Sequence, residues 1–198
     1  MAPKRRAETM EENRAKLIAA GRRAFAASGF AAASMDDLTA AVGLTRGALY
    51  HSFGDKAGLL AAVVAQVDGE MAARAERAAA TAKTDWDRLL VEAEAYIEMA
   101  LDPEVRRIVL LDGPAFLGDP STWPSQNACL DGTKQTVAKL IANGVMRRVD
   151  VEAASRLLSG AAFNAALWVA ASETPDLVLP KALAAFRLMA EGFLVDRG

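Results

Sequence analysis

SMDDLTAAVGLTRGALYHSFGDK, residues 34–56, decides the fold of this 198-residue chain. Ser34 is a good helix N-cap, and Asp37 three residues on makes a weaker version of the capping box. The spacing predicts a short helix from Met35 to Val42 that closes on Gly43, because glycine takes the left-handed backbone that ends helices. Leu44 then plugs inward, and Thr45 caps a second, very short helix through Tyr50. Two helices across a short turn containing Gly form a helix-turn-helix, whose second helix lies in the DNA major groove. The plainer reading is an ordinary helical hairpin. Capping, turn and a polar second helix agree at once, which favours the helix-turn-helix.

Upstream, an amphipathic helix is predicted from Glu11 to Ser28. Leu17, Ile18, Gly21, Ala24 and Phe25 recur at three- and four-residue steps, with Arg14, Lys16, Arg22 and Arg23 largely away from them. Gly29 stops it. Its apolar face is expected to pack on Leu38, Val42, Leu49 and Phe53. Residues 1–10 read as a mobile arm in which Lys4, Arg5 and Arg6 either follow a DNA backbone or minor groove or merely aid solubility. Downstream, Asp55 caps a long helix reaching to about Lys83, with no flexible linker inside it. Its first half is apolar and its second alanine-rich, so the domain boundary is placed near Val67.

Residues Arg14 to Leu60 resemble the DNA-binding domain of the tetracycline-repressor (TetR) family of transcriptional regulators. The matching residues are Ile18, Phe25, Gly29-Phe30, Leu38, Gly43-Leu44-Thr45, Gly47, Leu49-Tyr50, Phe53, Lys56 and Leu59-Leu60. Two positions depart from the pattern. Thr39 stands where Ala is usual, and a helical Thr can bond its hydroxyl back to the Met35 carbonyl. Ser52 stands where a His is common and lacks that side chain's reach to a phosphate.

Charge distribution agrees with a DNA-binding N-terminus. The chain carries 23 Lys/Arg and 25 Asp/Glu, a formal net charge of −2. Up to Lys56 there are 9 basic and 6 acidic residues, +3; from Ala57 onward there are 14 and 19, −5. A basic end on an acidic body is a localised electrostatic footprint. Alanine and leucine dominate with few β-branched runs, predicting an all-α protein. A single cysteine, Cys129, excludes a disulfide framework and a Cys-based zinc site. A single histidine, His51, leaves little for metal chemistry, so no metal or cofactor is expected. No apolar segment follows the basic N-terminus as in a signal peptide, and the longest uncharged run, Leu157 to Ser172, is too short to span a bilayer. A cytoplasmic protein is expected.

About nine helices are predicted: an N-terminal three-helix helix-turn-helix domain (residues 11–66) and a C-terminal helical ligand-binding and dimerisation domain (residues 67–198). The stretch from Gly113 to Gln126 holds three prolines and two glycines and reads as the longest irregular segment. Two apolar helices close the chain, Val151 to Ser172 and Leu179 or Pro180 to about Val195. They are apolar over more than one stripe and must be covered on more than one side. The resemblance implies that they pair with their copies in a homodimer; completing a monomer's core is the alternative. Glu104 to Gly118, EVRRIVLLDGPAFLG, resembles a C-terminal subfamily of these regulators.

DNA contacts fall into positioning and reading. Ser34 and Thr45 stand at helix starts, where free N–H groups can hold a phosphate. The resemblance gives Tyr50 and Lys56 phosphate-contacting positions, though Tyr50 also fits a half-buried core site. Arg46, Ala48 and His51 face the bases, with Gly47 giving clearance. Arg pairs with guanine and Ala touches a thymine methyl, while His51 reads a base or holds a phosphate. The resemblance also implies a small-molecule effector pocket, for which Tyr96, Met99, Phe116, Trp123, Cys129, Asn164 and Trp168 are the candidate lining. No buried charge stands out, which favours a neutral, apolar or aromatic effector. The sequence contains no phosphate loop, HExxH or GxSxG, and Asp36-Asp37 and Glu92/Glu94 read as capping or solvated carboxylates. A small α-helical enzyme and a helical protein-interaction module without DNA affinity are the rival classes.

Overall fold

A computed structural model describes residues 3–195, with side chains from Ala7 onward; the predicted contacts of Lys4, Arg5 and Arg6 lie outside the described residues. The chain is helical almost throughout. The helices are α1 (Pro3–Ala32), α2 (Met35–Ala40), α3 (Arg46–Phe53), α4 (Lys56–Ala78), α5 (Asp85–Glu98), α6 (Pro103–Val105), α7 (Gly113–Leu117), α8 (Pro124–Ala142), α9 (Val151–Ala171) and α10 (Pro175–Glu191). A π-helical turn, Arg106–Asp112, joins α6 to α7. Counting 103–117 as one broken helix gives nine among the described residues. None of them is long and apolar enough to cross a membrane.

Caps and glycines set the N-terminal third. Ser34, Thr45 and Asp55 each accept a hydrogen bond from the backbone N–H three residues on, at 3.2, 3.2 and 2.7 Å. Gly43 takes φ 66° and turns the chain between α2 and α3. Thr39 donates its hydroxyl back to the Met35 carbonyl at 3.0 Å, as expected of a helical threonine. Leu17, Phe25, Leu38, Leu49, Leu59 and Leu60 are buried together, so α1 and α4 hold α3 from behind.

Four expectations need correction. Residues 3–10 are the first turns of α1 rather than an arm: Pro is well tolerated at a helix start, and nothing before Gly29 breaks the pattern. The recognition helix extends beyond Tyr50 to Phe53, because Gly54, with φ 80°, is the first residue to leave the helical region. The supposed irregular segment contains α7, a 3-10 turn at Pro120–Thr122 and the start of α8; its prolines occupy first-turn positions, where a missing N–H costs nothing. The last helix begins at Pro175, before Pro180, and Pro180 is carried inside it.

The two domains are clamped by α1, α4 and the broken helix. The Arg22 guanidinium bonds both carboxylate oxygens of Glu70 (2.7 and 2.8 Å) and both of Glu104 (2.8 and 2.7 Å). That guanidinium holds the Glu70 carboxyl below its ordinary range. The Phe30 N–H donates to Asp112 at 2.7 Å, and the Phe30 and Phe116 rings lie 4.4 Å apart. Behind them α5, α8, α9 and α10 form the body, where Ile97, Val137, Leu140, Ala166 and Phe186 are buried.

Candidate nucleic-acid interface and ligand cavity

Of the eight residues of α3 only Leu49 is buried. Thr45, Arg46, Gly47, Tyr50 and His51 are exposed, and Ala48 is half-buried. The Thr45 cap occupies one of the helix's free N–H groups through Ala48. Arg46 reaches Asp36 and the Tyr50 hydroxyl, each at 3.4 Å, and lies 5.9 Å from the Tyr50 ring centroid. These long contacts between exposed groups are weak. The Lys56 ammonium sits 4.7 Å from the Phe30 ring centroid and donates to the Ala31 carbonyl at 3.4 Å. Sequence reasoning missed Arg14, whose guanidinium covers the Phe53 ring at 5.1 Å, beside the end of α3. Its signal was its place on the polar side of α1.

A cavity of about 480 Å³ opens in the body between α4, α5, α8, α9 and α10. Tyr96 and Cys129 line it; the other five candidates do not. Met99 is a core residue, and Trp123 is buried edge-on to Phe163 at 6.4 Å. Phe116 belongs to the domain junction through Phe30. Asn164 and Trp168 project from the outer side of α9. Sequence reasoning also missed a buried charge. Asp68 of α4 is 1% exposed and accepts from the Gln126 amide at 3.0 and 3.1 Å, and the same amide reaches the Tyr96 hydroxyl at 3.3 Å. Burial raises the Asp68 carboxyl above its ordinary range, opposed by its hydrogen bonds from α8. Partial desolvation of the thiol, with the nearby Asp68 charge, pushes Cys129 up to about 11 although the residue is exposed, and burial raises the Tyr96 phenol.

Because burial disfavours the charged form of Asp68, the folded state takes up its proton more readily than the unfolded chain does. The ionised side chain therefore costs stability above the ordinary aspartate range, and that cost disappears as pH falls below it. Asp68→Asn is expected to raise Tm at neutral pH by about 2–4 °C, the shift that about 1 kcal/mol gives a chain of this size. Thermal melts should show the gain shrinking in acid; a gain independent of pH would assign it to packing.

An exposed recognition helix braced by two others, joined through a long helix to a helical body with a ligand-sized cavity, defines a helix-turn-helix DNA-binding regulator. Residues 17–63 match the family described as bacterial regulatory proteins, tetR family, and residues 86–193 match Tetracyclin repressor-like, C-terminal domain. A TetR-family transcriptional regulator from Pectobacterium atrosepticum is 45% identical, with 96% of this chain and 97% of that one covered and a TM-score of 0.84. RolR, solved with resorcinol, shares the fold at 15% identity (97% and 100% covered, TM-score 0.68). SmeT, solved with triclosan, does so at 23% (94% and 93% covered, TM-score 0.66). No significant match was found among curated proteins. The chain belongs to the TetR family of transcriptional regulators.

Proposed function

We propose that this regulator is a ligand-released repressor that binds a palindromic operator as a homodimer. The observation that carries the reading is α3, which buries Leu49 alone and leaves Arg46, Gly47, Tyr50 and His51 open to a groove. Residues 11–66 read the DNA and residues 67–198 bind the effector and dimerise, with the boundary inside α4. Arg46, Ala48 and His51 face bases; Ser34, Thr45, Tyr50 and Lys56 hold phosphates. The protein acts in the cytoplasm, and we assign it no reaction. DNA binding of this kind is salt-dependent because bound phosphates release counterions. A titration against genomic fragments at two ionic strengths tests it. Affinity should fall steeply with salt, and the absence of any salt-sensitive affinity would favour a protein-interaction module.

One recognition helix reads too few base pairs for useful specificity, so two copies are needed. The outer face of α9 and α10 supports pairing: Leu157 is 64% exposed, Trp168 50%, Leu177 65% and Leu188 73%. Large apolar side chains left exposed along two neighbouring helices favour an interaction surface. Light scattering at micromolar concentration should give twice the chain mass, and a stable monomer would overturn the pairing. Resorcinol in RolR and triclosan in SmeT support a small-molecule effector here too. The effector must bind better to a dimer whose recognition helices are wrongly spaced, since equal affinity for both states shifts nothing. α4 links the two sites. Its first residue follows the Asp55 cap, and Ala72, Ala75 and Glu76 near its other end line the cavity.

A further inference from the structure

We propose that the cavity is built for a cationic amphiphile, an organic amine on an apolar or aromatic body, with its charge held at the end where Asp68, Gln126 and Tyr96 meet. This rests on the cavity being the effector site.

Asp68 is the starting point. It is almost completely buried, yet its hydrogen-bond partners are neutral, the Ser125 side chain and the Gln126 amide, and no ion pair joins it to a Lys or Arg among the described residues. Buried carboxylates are ordinarily paired with a cation, because neutral donors only partly replace lost hydration. Here the wall that screens Asp68 is the cavity's own lining. Gln126, Tyr96 and Cys129 all border the cavity, and Ala72, one helical turn beyond Asp68, does too. Across this lining a buried negative charge is less screened than in water and favours a positive one on the other side.

The rest of the lining agrees. It carries Glu76, Asp85 and Glu92 against Arg88 and Lys139, three carboxylates to two cations. Arg88 is already engaged by Glu92 at 3.0 Å and Glu76 at 3.7 Å. Lys139 lies more than three turns along α8 from Gln126, so an anionic effector at the Asp68 end would meet a carboxylate without a matching cation. An apolar body has its own place against Leu89, Leu90, Ala93, Leu158, Ala162 and Phe186. The volume, about 480 Å³, lies within the range of small-molecule sites. Since Asp68 belongs to α4, a cation drawn to it acts on the same helix that leads to the recognition helix.

The test uses three ligands of one shape and different charge: biphenylmethylamine, biphenylmethanol and biphenylcarboxylate. Each is titrated calorimetrically into the full chain at neutral pH. The amine should bind about tenfold tighter than the alcohol, a difference of about 1.4 kcal/mol, with the carboxylate weakest. In Asp68→Asn, which removes the charge and keeps the shape, the three should come within a few-fold of one another. An acidic surface site elsewhere would keep its preference in that variant, and that result overturns the proposal. Equal binding of amine and alcohol by the unaltered protein also overturns it, while leaving the cavity as a ligand site. Binding by none of the three removes both the proposal and the cavity reading. The comparison within the unaltered protein decides even if the variant does not fold.

Discussion

Arg46→Ala is expected to weaken operator binding by about 1–3 kcal/mol and to relax the preference at one base pair in each half-site. Arg46 is the first helical residue after the Thr45 cap, at the end of a recognition helix that enters the groove. Without DNA its side chain, 52% exposed, rests on Asp36 and Tyr50 through contacts of 3.4 Å. Releasing such exposed contacts costs little, and the planar guanidinium is then free to bond two acceptors on one guanine. Measured against single-base variants of the operator, the loss should concentrate at one symmetric pair of positions. Equal weakening on every sequence would show that Arg46 grips phosphate instead. His51, exposed one turn further along α3, can be read by the same variants.

A second large effect is expected from a residue that touches no DNA. Gly58 lies in the first turn of α4, and a Cβ placed there would overlap the backbone carbonyl oxygen of Phe53, the last residue of α3. A carbonyl cannot swing aside as a flexible side chain would. Gly58→Ala must open the turn between α3 and α4, breaking the 2.7 Å bond from the Gly58 N–H to Asp55 or shifting α3 on its core. The expected destabilisation is at the upper end of about 1–3 kcal/mol, with loss of specific DNA binding because Leu49 no longer seats the recognition helix squarely on the core. Denaturant melts and operator titrations of the variant check both parts. A variant of unchanged stability and affinity would show that the turn is not a fixed hinge. Gly69→Ala, where a Cβ meets nothing within 4 Å, is the control and should be neutral or slightly stabilising.

The parts of the fold legible in the sequence were those fixed by local chemistry. Ser34, Thr45 and Asp55 are capping residues whatever surrounds them, and Gly43 and Gly54 supply the positive φ their turns need. Gly113-Pro114 misled for a tertiary reason. The glycine is there because a Cβ would come within 2.6 Å of the Trp123 ring, and the chain stays helical through it. The cavity was half legible. Helix α9 is apolar on opposite sides, so Leu158 and Ala162, which face the cavity, look no different in sequence from Leu157 and Trp168, which face outward. Asp68 left a signal. Leu60, Val64, Asp68, Met71 and Ala75 follow one another at helical spacing and all are buried, so the charge sits on the inward stripe of α4. It reads as a surface residue only when taken without that period.

The repressor reading depends on two copies of α3 being presented together to successive major grooves. Selecting and sequencing the genomic fragments that the purified protein retains tests this most directly. The account predicts an inverted repeat whose half-sites are centred about one turn of DNA, roughly 34 Å, apart. Retained fragments with no shared sequence, or with a single unrepeated half-site, would contradict it.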